Sequence, residues 1–298
     1  MYGAVTGLGA TGLGSITPVI AGLRPNIVKG NYDLVAVRGT DLVAMFERAM
    51  QEMGGMSQWV KPGQTVIVKP NIGWDVIPER AANTNPELVG AVVRHCLQAG
   101  ASRVTVFDHT CDNWRRSYEN SGIEKAAREA GARIVPGNFE RNYRDITIPG
   151  AVRLKEAKVH EQIFDNDVFI NVPVLKHHSS TRLTIAMKNL MGIVWDRRYW
   201  HRNDLNQCIA DFCLYRKPDL NIVDAMLVMT RNGPRGTSTA DLVRKNSLLV
   251  SSDIVAVDAA SALIFGEEPA KVGHIAIADE MNIGSIDLSK LNIQRVYM

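Results

Sequence analysis

From Lys176 to His201 the sequence gathers His177, His178, Lys188, Asn189, Arg197, Arg198 and His201. Lysines and arginines in such density can neutralise a bound carboxylate or phosphate, and a histidine among them can exchange a proton near neutral pH. Lysines held close together also depress one another's pKa, which is how a lysine becomes a base or a nucleophile. Lys188 and Asn189 interrupt an otherwise apolar helical pattern that runs through Leu183, Ile185, Ala186, Met187, Leu190 and Met191. The pattern puts Lys188 at the border of a pocket or, on the plainer reading, snorkelling to solvent.

These residues need elements to aim them. From Asn31 onward, short β-branched runs alternate with amphipathic segments. That is the signature of an α/β fold, with a mostly parallel Rossmann-like sheet between two helical layers. Strands are expected near Leu34–Val37, Thr65–Val68, Arg103–Phe107, Arg133–Val135, Val168–Val172, Leu220–Val223, Leu248–Val250 and Ile293–Tyr297. Helices are expected over Asp41–Met53 and Pro86–Gln98. The second begins with Thr84 or Asn85 as cap and Pro86 in the first turn, and Gly100 ends it. A single domain over 31–298, with an inserted lobe near 140–165, accounts for the pattern.

Ligands of such sheets bind beyond the carboxyl ends of the strands. The segments that follow the expected strands are polar: Lys69 and Asn71; Asp108 and His109; Lys176, His177 and His178; Asp224; then Ser251, Ser252 and Asp253. All are expected at one edge, although Asp253 also sits where a helix N-cap belongs. Gly233 and Gly236 flank Pro234 and Arg235 in a turn that either lets backbone N–H groups approach a ligand or is simply tight.

Composition excludes several classes. The 298 residues are 46% hydrophobic and 22% charged, which fits a folded globular chain. A formal charge of +3 implies no nucleic-acid partner. Cys96, Cys111, Cys208 and Cys213 show no C-x-x-C spacing, so no iron–sulfur cluster is expected on this chain, and packing is the expected role for Cys208 and Cys213. Asp108, His109, His178, His201 and Asp258 are suitable types for a divalent metal, but no compact motif selects a ligand set.

Residues 1–23 carry no charge and include Gly7-Leu8-Gly9-Ala10-Thr11-Gly12. The glycine pattern suggests dinucleotide binding, but too few residues precede it to make a strand, and Pro18 falls where the helix should continue. Glycines and Pro18 also argue against an integral membrane span. The stretch reads either as a trimmed or mis-started export signal or as a glycine-rich arm. The expected location is accordingly either cytoplasmic or exported.

In order along the chain come Val68-Lys69-Pro70-Asn71, Pro173-x-Leu175-Lys176-x-His178, Lys188-Asn189-x-x-Gly192, Gly233-Pro234-x-Gly236 and Asp253-x-x-Ala256-Val257-Asp258. This ordered set resembles the domain of unknown function 362 family over roughly 32–285. The resemblance implies the α/β domain and its Lys, His and Asp motifs. Many members carry a ferredoxin-like cysteine segment that this chain lacks, and the family has no agreed reaction. A lysine with histidines on an α/β scaffold is also similar, at fold level alone, to the nickel-pincer lactate racemases, whose cofactor a lysine holds covalently. That version predicts an adduct on Lys176 or Lys188.

Two functions follow as expectations. One is an enzyme with Lys176, His178, Lys188 and Asp108 as catalytic groups and Lys69, Asn71, Asn189, Arg197, His201, Gly233, Gly236, Asp253 and Asp258 as substrate contacts. It takes a small anion through proton-transfer or isomerase-like chemistry, with His178 moving the proton and Asp108 or Asp258 assisting. The other is a non-catalytic redox accessory whose motifs hold a cofactor or an iron–sulfur partner, with Trp195, Tyr199 and Trp200 either as its docking patch or as a lid over the pocket.

Overall fold

The computed structural model describes residues 32–298. The readings on residues 1–30, including the Gly7–Gly12 pattern, lie outside them. The chain begins with β1 (Leu34–Arg38), α1 (Leu42–Glu52), β2 (Thr65–Pro70), α2 (Pro86–Gln98) and β3 (Arg103–Val106). Next come α3 (Trp114–Asn120), α4 (Ile123–Glu129), β4 (Arg133–Ile134), β5 (Tyr143–Thr147), β6 (Glu156–His160) and β7 (Val168–Val172). Then follow β8 (Val174–His178), β9 (Arg182–Thr184), α5 (Ala186–Asn189), α6 (Arg197–Arg202) and α7 (Leu205–Tyr215). The chain closes with β10 (Leu220–Met229), β11 (Leu242–Ser251), α8 (Ile254–Phe265), α9 (Gly273–Glu280) and β12 (Ile293–Tyr297).

The fold is α/β. Its main sheet runs β12-β1-β11-β10-β7-β2-β3-β4, with β8 added beside β10 and β9 beside β8. Within that path only β11 runs against the others. Residues along each strand alternate between the two faces of the sheet. Val66 and Val68 pack with Phe46, Val92 and Ala127, from α1, α2 and α4. Ile67 belongs to the opposite cluster, with Ile209, Val257 and Ile275, from α7, α8 and α9. β7 divides in the same way, Ile170 to the first cluster and Phe169 to the second. Two apolar clusters on either side of one sheet make the three layers.

Local signals fix the elements. Asp41 caps α1 by accepting a hydrogen bond from Ala44 N, and Asn85 caps α2 by accepting one from Glu87 N. Gly100 takes φ +97° just past α2, where a side chain would be strained. β5 and β6, in the segment expected as an inserted lobe, form a two-stranded antiparallel sheet of their own.

Three placements differ from the sequence reading. Because β11 is antiparallel to β10, it runs away from the ends of β2, β3 and β7: Ser251 pairs with Asn221 at the start of β10, and Asp253 follows beyond it. Lys176, His177 and His178 belong not to a loop but to β8, which continues past Pro173. The helical pattern over 182–191 resolves into β9, the single turn α5 and a 3₁₀ turn, because Asn171 and Asp258 bind the main chain there.

Candidate functional site

After β2 the chain moves to β3 and β4 on one side, and β7 returns on the other, so the sheet's switch point lies between β2 and β7. A cavity of about 520 Å³ opens there. Its wall includes Lys69, Asn71, Asp108, Lys176, His178, Lys188, Asn189, Arg197 and His201. These are nine of the thirteen residues expected from sequence to form the site, drawn from β2, β8, α5, α6 and the turns after β2 and β3.

Lys69 and Asp108 form a fully buried pair, with Nζ 2.9 Å from Oδ1. Lys69 Nζ also donates to Pro70 O (2.8 Å) and Asn189 Oδ1 (2.9 Å), while Asp108 Oδ2 accepts from Ile72 N (2.6 Å). Burial pulls Lys69 below its ordinary value and pushes Asp108 above its own, and their mutual attraction opposes both shifts. With three acceptors around Nζ and a backbone donor on the carboxylate, the pair is ionic. Asp108 is therefore committed to Lys69, not to His178 as expected.

Lys176 and Lys188 are different. Lys176 is 2% exposed; its Nζ donates to Asn71 Oδ1 (3.1 Å) and to Ala82 O. Lys188 is 9% exposed, and its Nζ reaches only Met191 Sδ (3.0 Å). Neither forms an ion pair among the described residues. Burial lowers Lys176 to about 7 and Lys188 to about 8. Mutual repulsion, which the sequence reading put first, is the lesser cause.

His178 is buried, and its Nδ1 accepts from Ser180 N (3.1 Å). Burial, then Lys188 and Lys176, hold it well below the ordinary histidine range, so the ring is neutral with its proton on Nε2. It offers a hydrogen bond into the cavity in place of the expected basic lone pair. His201 lies with its ring centre 6.5 Å away. Arg197 lines the cavity, but Nη1 donates to His109 O (2.9 Å) and Nη2 to Thr110 O (2.8 Å), which clamps that loop.

A chain of buried amides supports this wall. Asn189 Oδ1 accepts from Asn71 Nδ2 (2.8 Å), and its Nδ2 donates to Asn171 Oδ1 (2.8 Å). Asn171 Nδ2 in turn donates to Asn221 Oδ1 (3.0 Å). Asn171 and Asn221 escaped the sequence reading because they sit inside strands read as apolar. Thr184, also missed, lines the cavity with a buried hydroxyl that has no partner among the described residues. Cys111 is exposed there, unlike Cys96, Cys208 and Cys213.

The other expected contacts lie outside the cavity. Asp253 caps α8, accepting from Val255 N (2.8 Å) and Ala256 N (3.0 Å). Asp258 is fully buried and accepts from Ala186 N (2.7 Å) and Met187 N (3.1 Å), so it holds α5, and with it Lys188, from behind. Burial pushes Asp258 up to about 8. Asp224 accepts from Asn85 N (2.9 Å) and Met226 N (3.1 Å) in mid-strand. Gly233 N donates to His177 Nδ1 (3.1 Å), and a Cβ on Gly233 would overlap His177 O. That turn brings Pro234, not the glycines, to the cavity. Trp200 is 1% exposed against Phe212 and Trp195 is stacked on His109, so of the three expected aromatics only Tyr199 is exposed, and they line a cavity wall in place of an open patch. Among the described residues no His, Cys, Asp and Glu side chains come together as a metal-holding group of three. No helix among them is long and apolar enough to cross a membrane.

A family model described as Domain of unknown function (DUF362) matches residues 66–263, the span that holds every motif above. The chain belongs to the DUF362 family. The thylakoid-associated protein sll1697 of Synechocystis sp. is 27% identical over 250 residues, covering 81% of this DUF362 chain and 75% of that protein. The lactate racemase apoprotein of Thermoanaerobacterium thermosaccharolyticum matches with a TM-score of 0.47 and 13% identity, over 74% of this chain. This chain spans 54% of the racemase's length.

Proposed function

We propose that this DUF362 protein is an enzyme that holds a small anion, a carboxylate or a phosphate, and moves a proton on it. One observation carries this reading: Lys176 and Lys188 are buried at one cavity with no carboxylate paired to either among the described residues. A buried ammonium without a counter-charge is costly, and it is relieved by losing its proton or by gaining an anion. The unpartnered hydroxyl of Thr184 at the same wall supports a ligand there.

The two lysines divide the work. Lys188, with a pKa near 8, is mostly charged at neutral pH and holds the anion. Lys176, near 7, is divided between its two forms, which is the condition for exchanging a proton at that pH. Asn71 Oδ1 and Ala82 O occupy two directions around Lys176 Nζ and leave the remaining one for substrate. His178 donates from Nε2 to a developing oxygen charge, as a neutral imidazole can. The ionic pair of Lys69 and Asp108 and the Asn189 amide fix the floor.

Proton exchange beside the anionic group is the readout. Panels of 2-hydroxy and 2-oxo carboxylates and of phosphate monoesters, incubated in D2O and followed by ¹H NMR, are expected to include a member that takes up deuterium. Lys176→Met is expected to abolish that uptake. A panel in which nothing binds or exchanges would overturn the reading.

A further inference from the structure

A second cavity, about 1020 Å³, adjoins the first, and His109, Cys111, Arg197 and Arg198 line both. It lies between the β5–β6 hairpin and α6, and the two differ in charge. The inner wall has five cations, Lys69, Lys176, Lys188, Arg197 and Arg198, against the one carboxylate of Asp108. The outer wall balances five acidic residues, among them Glu140 and Glu156, against five basic ones, among them Lys155 and Lys158. Glu140 and Lys158 are already paired at 2.5 Å. The outer cavity therefore gives an anion no net attraction, and its selectivity rests on shape.

Trp195 supplies that shape. Its ring lies 5.0 Å from that of His109 at an interplanar angle of 8° and 5.3 Å from that of Tyr143, and its backbone N donates to Lys158 O (3.0 Å). A ring held in that way offers rigid apolar area at little entropic cost. Arg198, at the junction, is exposed and forms no ion pair among the described residues. Arg197, clamped to the carbonyls of His109 and Thr110, fixes the wall between the cavities.

We propose that the ligand is bipartite: an anionic head at Lys176 and Lys188, joined past Arg198 to a flat, uncharged body lying against Trp195 in the outer cavity. This rests on the reading of the inner cavity as an anion site. A small anion fills little of the combined space, whereas sites of about 300–1,000 Å³ suit larger organic ligands.

The test uses matched probes in calorimetric titrations: inorganic phosphate against 1-naphthyl phosphate, and acetate against 1-naphthylacetate. In the unmodified chain, the aromatic member of the pair whose head fits is expected to bind at least about tenfold more tightly, since stacking and burial of the ring exceed about 1.4 kcal/mol. Trp195→Ala is expected to erase that advantage and leave the simple anion unchanged, while Trp195→Phe keeps most of it and guards against a folding defect. Equal affinity within both pairs, or a Trp195→Ala loss shared by simple and aromatic members, would overturn the bipartite ligand while leaving the anion site standing. Binding of none of the four probes would overturn both readings.

Discussion

The main chain at Gly192 passes so near the Asp108 carboxylate that a Cβ there would overlap Oδ1 and lie 2.6 Å from Lys69 Nζ. Gly192 O also accepts from His109 N (2.9 Å), so the contact ties the turn after α5 to the loop after β3. Gly192→Ala is therefore expected to cost more than about 3 kcal/mol in urea denaturation, since it must part a buried ion pair or shift the backbone. Gly73→Ala, whose new Cβ would find its nearest neighbour at 3.4 Å, is expected to stay within about 1 kcal/mol.

The buried pair itself makes a second prediction. Asp108→Asn leaves the Lys69 ammonium without its counter-charge and is expected to cost about 3–5 kcal/mol by chemical denaturation. Lys69→Met with Asp108→Leu is expected to recover a large part of that loss, because the uncompensated charge disappears. Equal losses for the single and double variants would show that the pair's ionic character matters little.

Lys176 links stability to pH. Its folded pKa, about 7, lies below the ordinary lysine value of 10.5, so between those values the unfolded chain binds more protons and the Lys176 contribution favours folding as pH rises. Below pH 7 the folded protein must carry the buried charge. Lys176→Met is therefore expected to stabilise the protein more at pH 6 than at pH 9, by about 2–3 kcal/mol, in paired thermal melts. A pH-independent difference would contradict this.

Asp258 acts from behind the cavity. Asp258→Asn keeps the shape but accepts only one of the two hydrogen bonds from Ala186 N and Met187 N with its oxygen. The expected outcome is a loss of about 1–3 kcal/mol in stability, together with weaker phosphate or acetate binding, since α5 carries Lys188. Unchanged binding in a destabilised variant would confine Asp258 to folding.

Much of this was legible in the sequence, for physical reasons that differ by element. The strands β1, β2, β3 and β7 showed as β-branched runs because both their faces are buried, and α2 showed through its Asn85 cap, Pro86 and Gly100. Lys69, Asp108 and Lys176 were visible as charges immediately after or inside apolar runs. The reversal of β11 was not legible, because strand direction leaves no mark on composition, and Asp253 was misplaced with it. The segment 182–191 kept a helical spacing of apolar residues, but tertiary hydrogen bonds from Asn171 and Asp258 decided its conformation. Asn171 and Asn221 gave no signal, since one amide inside an apolar strand reads as an interruption and not as part of a network.

The central claim is that Lys176 and Lys188 await an anion, and titration calorimetry tests it most directly. Phosphate and acetate, titrated at pH 8 in buffers of different ionisation enthalpy, are expected to give saturable binding by one of them with net proton uptake, because the anion raises both lysine pKa values. Lys188→Met is expected to weaken that binding at least about tenfold. Binding that survives Lys188→Met and Lys176→Met unchanged, or that takes up no proton, would contradict the account.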